Sequence, residues 1–145
     1  MTQKGKQKHA LRIFLSYAAA DRVYAEKLRG LLSRRPHVRL FTTEMLSAGE
    51  DWQSKLKEEL SHCDLFMVVL SPNSVDSKWI LYELGAAWAI DKPILSIVTH
   101  PDVVSKIPVT FSQVQVVEIK DLEKPDIINQ MLERYEGVVT SHRTH

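Results

Sequence analysis

Apolar residues along this chain switch repeatedly between two spacings, one suited to strands and one to helices. Residues 11–17 form a compact β-prone run, and Asp21 opens a stretch in which Val23, Leu28, Leu31 and Leu32 recur at helical spacing until Pro36. A second short strand covers 38–41. The polar stretch 42–51, with Gly49 inside it, predicts a loop, after which Trp52, Leu56 and Leu60 restore helical spacing over 52–62. Residues 64–70 form the third strand. Its Leu65-Phe66-Met67-Val68-Val69-Leu70 core is apolar at every position, as in a central strand covered on both faces of a parallel sheet. Ser71-Pro72-Asn73-Ser74 then breaks the chain before a helix over 77–91, Pro93 follows, and 94–98 is the fourth strand. The proline-punctuated stretch 101–108 is irregular or briefly helical. Residues 115–119 read as a fifth strand and 125–135 as a final helix with Pro125 in its first turn.

Five strands alternating with helices predict an α/β fold: a doubly wound parallel sheet joined by right-handed crossovers, with helices on both faces. For the flavodoxin-like order 2-1-3-4-5, the strand order reverses between strands one and three, and ligands bind beyond the carboxyl ends of the strands at that point. The segments there are Ser16-Tyr17-Ala18-Ala19-Ala20-Asp21 and Ser71-Pro72-Asn73-Ser74.

The helix after strand three carries the chain's strongest chemical lead. From Trp79 to Ile90, twelve positions, the only charged residue is Glu83. So apolar a segment should be largely buried, and an ionised carboxylate there costs several kcal/mol unless it is paired, wetted by a cleft or used for chemistry. Trp79, at i−4, is expected on the same helix face, giving a flat aromatic surface beside a charge. The plainer alternative is an amphipathic helix whose glutamate reaches solvent or caps a neighbour.

At 145 residues and a net charge of +1, the chain is expected to form one globular domain over 11–136, with a basic lead-in at 1–10 and a polar tail at 137–145. The balanced charge gives no electrostatic case for nucleic acid, and Lys4, Lys6 and Lys8 read as a solvated lead-in. With Cys63 alone, no intramolecular disulfide is possible; it reads as a small core residue, with a reactive thiol as the lesser alternative. The apolar run 65–70 is too short to cross a bilayer, and the N-terminus lacks the apolar core of a secretion signal, so a soluble, cytoplasmic protein is expected.

Several chemistries are excluded. The five glycines, at 5, 30, 49, 85 and 137, form no phosphate cradle. The strand exits Ser16-Tyr17 and Leu70-Ser71 lack the carboxylates that would hold a divalent cation in a phospho-receiver domain. No pair among the six histidines has metal-ligand spacing, and no Gly-x-Ser-x-Gly turn exposes a serine nucleophile.

Over roughly residues 11–135 the chain resembles the Toll/interleukin-1 receptor (TIR) domain family. Arg12-Ile13-Phe14-Leu15-Ser16-Tyr17, followed by Asp21, resembles the family's first-strand box. Ser47-Ala48-Gly49-Glu50-Asp51-Trp52 is similar to the end of its loop after strand two, and Leu70-Ser71-Pro72-Asn73-Ser74 to its third-strand exit. Ser77-Lys78-Trp79-Ile80-Leu81-Tyr82-Glu83-Leu84 resembles the Ser-x-Trp-x-x-x-Glu-Leu motif that holds the catalytic glutamate in the NAD+-cleaving branch.

The resemblance implies NAD+ glycohydrolase or cyclase activity with NAD+ as substrate, no cofactor and no metal, in anti-phage immune signalling of a bacterial kind. Glu83 is then the catalytic residue, Ser16 and Tyr17 edge the nicotinamide-ribose pocket, Trp79 and Ser77 contribute to substrate binding, and Trp52 covers the site. Tyr17 could equally finish its strand, and Trp52 and Trp79 could be core aromatics. The loop 42–51 is expected to mediate self-association, and a sensor or effector protein is a further expected partner. Ala18-Ala19-Ala20 stands where many enzymatic relatives carry basic residues, so Arg12, Arg22, Lys78 or a neighbouring subunit would have to contact the NAD+ phosphates. Ile80 stands where the family often has cysteine. The competing reading is a non-catalytic TIR to TIR adaptor; transfer between nucleosides on a related fold is a third.

Overall fold

The computed structural model describes residues 10–43, 51–107 and 115–143, with the side chains of residues 52 and 137–143 outside that description. Five strands, β1 (Leu11–Ser16), β2 (Val38–Phe41), β3 (Leu65–Leu70), β4 (Ile94–Val98) and β5 (Gln115–Glu118), form one sheet. Every pairing is parallel and the order is β2-β1-β3-β4-β5, the flavodoxin-like arrangement expected. The helices are α1 (Arg22–Leu32), α2 (Trp52–His62), α3 (Lys78–Ala89) and α4 (Pro125–Arg143). Short 3-10 turns cover Ala19–Asp21, Pro101–Lys106 and Ile119–Glu123.

The side-chain alternation of the strands divides the core into two layers. Ile13, Leu15, Met67, Val69, Leu95 and Ile97 point to the side covered by α1 and α4, where they meet Ala25, Leu28, Leu32, Ile128 and Leu132. Phe14, Phe66, Val68, Leu70 and Val98 point the other way, against Leu56 and Leu60 of α2 and Ile80, Leu84 and Ala87 of α3. All six residues of β3 are buried, as its unbroken apolar run requires, whereas the edge strands β2 and β5 are only partly covered.

The ends of the helices follow local chemistry. Ser77 caps α3, its hydroxyl oxygen accepting the Ile80 N–H at 3.5 Å, and Asp51 caps α2 by accepting the Ser54 N–H at 3.3 Å. At the far end of α3, Asp91 takes a left-handed φ of 60°. The Asp91 and Lys92 amides then return to the carbonyls of Trp88 and Ala87, closing a Schellman motif that normally favours glycine. Helix α1 starts at Arg22, because Asp21 belongs to the preceding 3-10 turn and makes no side-chain cap. Helix α4 runs to Arg143, past the end expected at Tyr135 and through most of the stretch expected to be a polar tail. No proline follows Tyr135, and Gly137 costs a helix only about 1 kcal/mol. Residues 1–9 of the expected lead-in (1–10) and residues 44–50 of the expected loop (42–51) lie outside the described residues.

Candidate functional site

Strand β1 ends at Ser16, and α3 places Glu83 against it. The Ser16 hydroxyl donates a hydrogen bond of 2.5 Å to Glu83 Oε1, and both side chains are shut away from solvent, with Glu83 only 2% exposed. The second carboxylate oxygen, Oε2, has no hydrogen-bond partner among the described residues. Burial pushes the Glu83 carboxyl up to about 7, against the smaller opposing pull of the Ser16 hydrogen bond. The group therefore titrates around neutral pH, with one acceptor unused among the described residues. The sheet order reverses here, between β1 and β3, so the carboxylate lies where an open α/β sheet builds its ligand sites.

The surrounding residues fix this geometry. Ser71 and Ser74, both buried, brace the exit of β3: the Ser71 N–H donates to Ser74 Oγ at 3.0 Å, and the Asn73 N–H to Ser71 Oγ at 3.1 Å. That turn leads into Ser77, whose cap starts α3 six residues before the glutamate. Ile80, Leu84 and Ala87 bury the inner face of α3, and Glu83 falls among them.

Among the other residues proposed for the site, Tyr17 is half-buried and packs against the core layer under α1. Trp79 is 37% exposed and stacks on Tyr82, with ring centroids 5.7 Å apart and an interplanar angle of 27°. Its ring thus lies on the outer flank of α3 while the carboxylate turns inward. The 40° offset between positions i and i+4 of a helix is enough to separate them. Trp52 begins α2, but its side chain is outside the described residues. Arg22 and Lys78 each open a helix that follows a strand, so their backbones lie at the carboxyl end of the sheet with Glu83. Arg12 does not: it is four residues before Ser16, about 13 Å along β1. Cys63 is buried, its thiol bonds the Leu60 carbonyl at 3.1 Å, and burial pushes it up to about 11, the behaviour of an inert core thiol.

Two buried polar groups near this end of the molecule stand out only in three dimensions. Ser96 of β4 shares a register row with Val68 and Ser16 and faces the same layer, and its hydroxyl has no partner among the described residues. The Asp21 side chain is buried, and its Oδ2 has no partner among the described residues. Ser96 is at least visible as the one polar residue in Ile94-Leu95-Ser96-Ile97-Val98; Asp21 reads in sequence as the start of a helix. Among the described residues, no group of three or more His, Cys, Asp or Glu side chains is placed to hold a metal, and no helix is long and apolar enough to cross a membrane.

The fold is similar to that of the TIR domain of the Toll-related receptor TRR-2 from Hydra magnipapillata. That match has a TM-score of 0.68 and 15% sequence identity, and covers 86% of this chain and 96% of the other. A metazoan TIR-STING receptor from C. gigas is similar with a TM-score of 0.64 and 19% identity over 79% of this chain, which spans 39% of that receptor. No curated protein matches the chain in sequence. A family model described as TIR domain matches residues 13–132, most of the chain, from within β1 into the last helix, and the chain therefore belongs to the TIR domain family.

Proposed function

We propose that the chain is an NAD+ glycohydrolase or cyclase in which Glu83 is the catalytic carboxylate. The observation that carries the reading is the Glu83 side chain itself: buried at the switch point, held through one oxygen by Ser16, and with Oε2 lacking a hydrogen-bond partner among the described residues. A carboxylate kept in an apolar layer of the fold costs stability, and such groups concentrate at functional sites.

One carboxylate suffices for this reaction. Glycosidases ordinarily need a second carboxyl group to protonate a poor leaving group, but nicotinamide is cationic while attached to the ribose and departs as a neutral molecule. The C1′–N bond breaks with its electron pair going to the ring nitrogen. Ionised Glu83 then offsets the positive charge developing on the ribose and accepts a hydrogen bond from a ribose hydroxyl. Capture by water, which loses a proton, gives ADP-ribose; capture by a nucleophile within the same molecule gives a cyclic isomer. Because Glu83 is only 2% exposed, a ribose reaches it only after the side chains around it rearrange. Self-association through the 42–51 loop is the proposed trigger, and immune signalling is the setting the family resemblance implies.

A non-catalytic adaptor is the second reading. The outer side of α3 favours it: Trp79, Tyr82 and Trp88 are all exposed, and exposed aromatics are the usual anchors of protein interfaces. The deciding experiment incubates concentrated protein with NAD+ and separates the products by chromatography and mass spectrometry, beside Glu83→Gln. Nicotinamide release that disappears in the variant supports catalysis. Release equal in both sinks the role of Glu83, and none from concentrated, assembled protein favours the adaptor.

A further inference from the structure

Beside the edge strand β2, residues of β1, β2 and α2 enclose an open cleft of about 370 Å³ that reaches from Arg12 and Cys63 to Phe41 and Lys55. Its polar lining is mostly cationic. Arg12 and Arg39 are direct register partners on neighbouring strands, so two guanidinium side chains emerge side by side from one face of the sheet. Across the cleft, α2 contributes Lys55 and Glu59, one turn apart, and Cys63 follows at the end of the helix. Three cations therefore face one carboxylate, and that carboxylate, Glu59, is engaged by Lys55 at 3.4 Å. Asp64 is nearby, but its side chain accepts the backbone N–H of Arg12 at 2.9 Å and does not line the cleft. Neither guanidinium has an ion-pair partner among the described residues.

Like charges placed directly opposite each other on adjacent strands destabilise a sheet, and nothing in the packing calls for arginine at either position, both of which are exposed. A dianion between them would turn this repulsion into attraction. Guanidinium forks match phosphate oxygens two at a time, Lys55 supplies a third donor, and the cleft has the volume of a small-molecule site. The cations do not serve the Cys63 thiol, which burial keeps protonated.

We propose that this cleft binds a phosphate-bearing small molecule, held by Arg12 and Arg39 with Lys55 as the third cation. Neither Ser16 nor Glu83 lines this cleft, and the assignment assumes nothing about the reaction at Glu83. Inorganic pyrophosphate serves as the probe, titrated into the full chain at low salt and followed by calorimetry and backbone amide spectra. One saturable site is expected, with shifts at Arg12, Arg39, Lys55 and Cys63 rather than at Ser16 or Glu83. Arg12→Gln with Arg39→Gln should weaken binding about tenfold or more. Lys106→Gln with Lys120→Gln, which removes the same charge elsewhere, should change it less than about twofold. Equal weakening by both pairs, absence of saturation, shifts centred on Glu83, or binding to anionic-lipid vesicles without a response to pyrophosphate would each overturn the assignment. If the paired arginine variant loses its fold by circular dichroism, Lys55→Gln, on the half-exposed flank of α2 that faces the cleft, provides the same test.

Discussion

Ser16 and Glu83, 67 residues apart in the chain, meet through a 2.5 Å hydrogen bond that is the one direct polar tether on the carboxylate among the described residues. The serine ends a strand and the glutamate lies midway along a helix, so this contact joins the sheet to the layer above it.

If Glu83 stabilises charge on the ribose, Glu83→Gln should lower the rate of nicotinamide release by about two to three decades, near 3–4 kcal/mol in barrier, while the fold survives. Single-turnover measurements beside circular dichroism check this. A variant that keeps its rate removes the assignment.

The ionised form is the active one in this mechanism, so the rate should rise with pH through about 7 and fall away below it. Ser16→Ala removes the hydrogen bond that favours the ionised form and should move the midpoint of the profile upward. An unmoved midpoint in Ser16→Ala would mean that another group governs the profile.

Stability should carry the same signature with its own sign. The folded value of about 7 lies above the ordinary 4.5, so between those limits the folded chain holds more proton at Glu83 than the unfolded chain does. This contribution is fully present below pH 4.5 and is lost as pH rises through 7, amounting to about 3 kcal/mol. Denaturant melts of wild type and Glu83→Gln should therefore diverge between pH 5 and 8, with the variant gaining relative stability at the alkaline end. Parallel curves would contradict the buried, ionisable state.

The two ends of α3 should respond in opposite directions. Ser77→Ala removes the cap and should cost about 1 kcal/mol, whereas Asp91→Gly relieves the left-handed residue and should add about 0.5 kcal/mol. Thermal melts measure both, and a loss in Asp91→Gly would show that the aspartate does more than close the helix.

Much of this architecture is legible in the sequence because hydrophobic spacing encodes it. The unbroken apolar run of β3 identifies a central strand, and the sheet order places Glu83 at the reversal before any side chain is known. What spacing does not encode is which flank of a helix turns inward. Trp79 and Glu83 are neighbours by count, yet Ile80, Leu84 and Ala87 decide the buried face, so the ring goes outward and the carboxylate inward. The partnership of Ser16 with Glu83, the register row that includes Ser96, and the pairing of Arg12 with Arg39 depend on strands brought together from distant parts of the chain. The overrun of α4 has a simpler source: polar residues near a terminus suit a helix and a tail equally well.

The unused acceptor on Glu83 couples binding to protonation. A ligand hydroxyl donating to Oε2 favours the charged form, which lowers the affinity of the carboxyl for its proton. Near neutral pH, where burial places the titration of this group, binding should expel a fraction of a proton into the solvent. The apparent heat of binding would then vary with the ionisation enthalpy of the buffer, and affinity would rise with pH. Occupancy of this site could thus be recorded as an acid release, even for a ligand that never reacts.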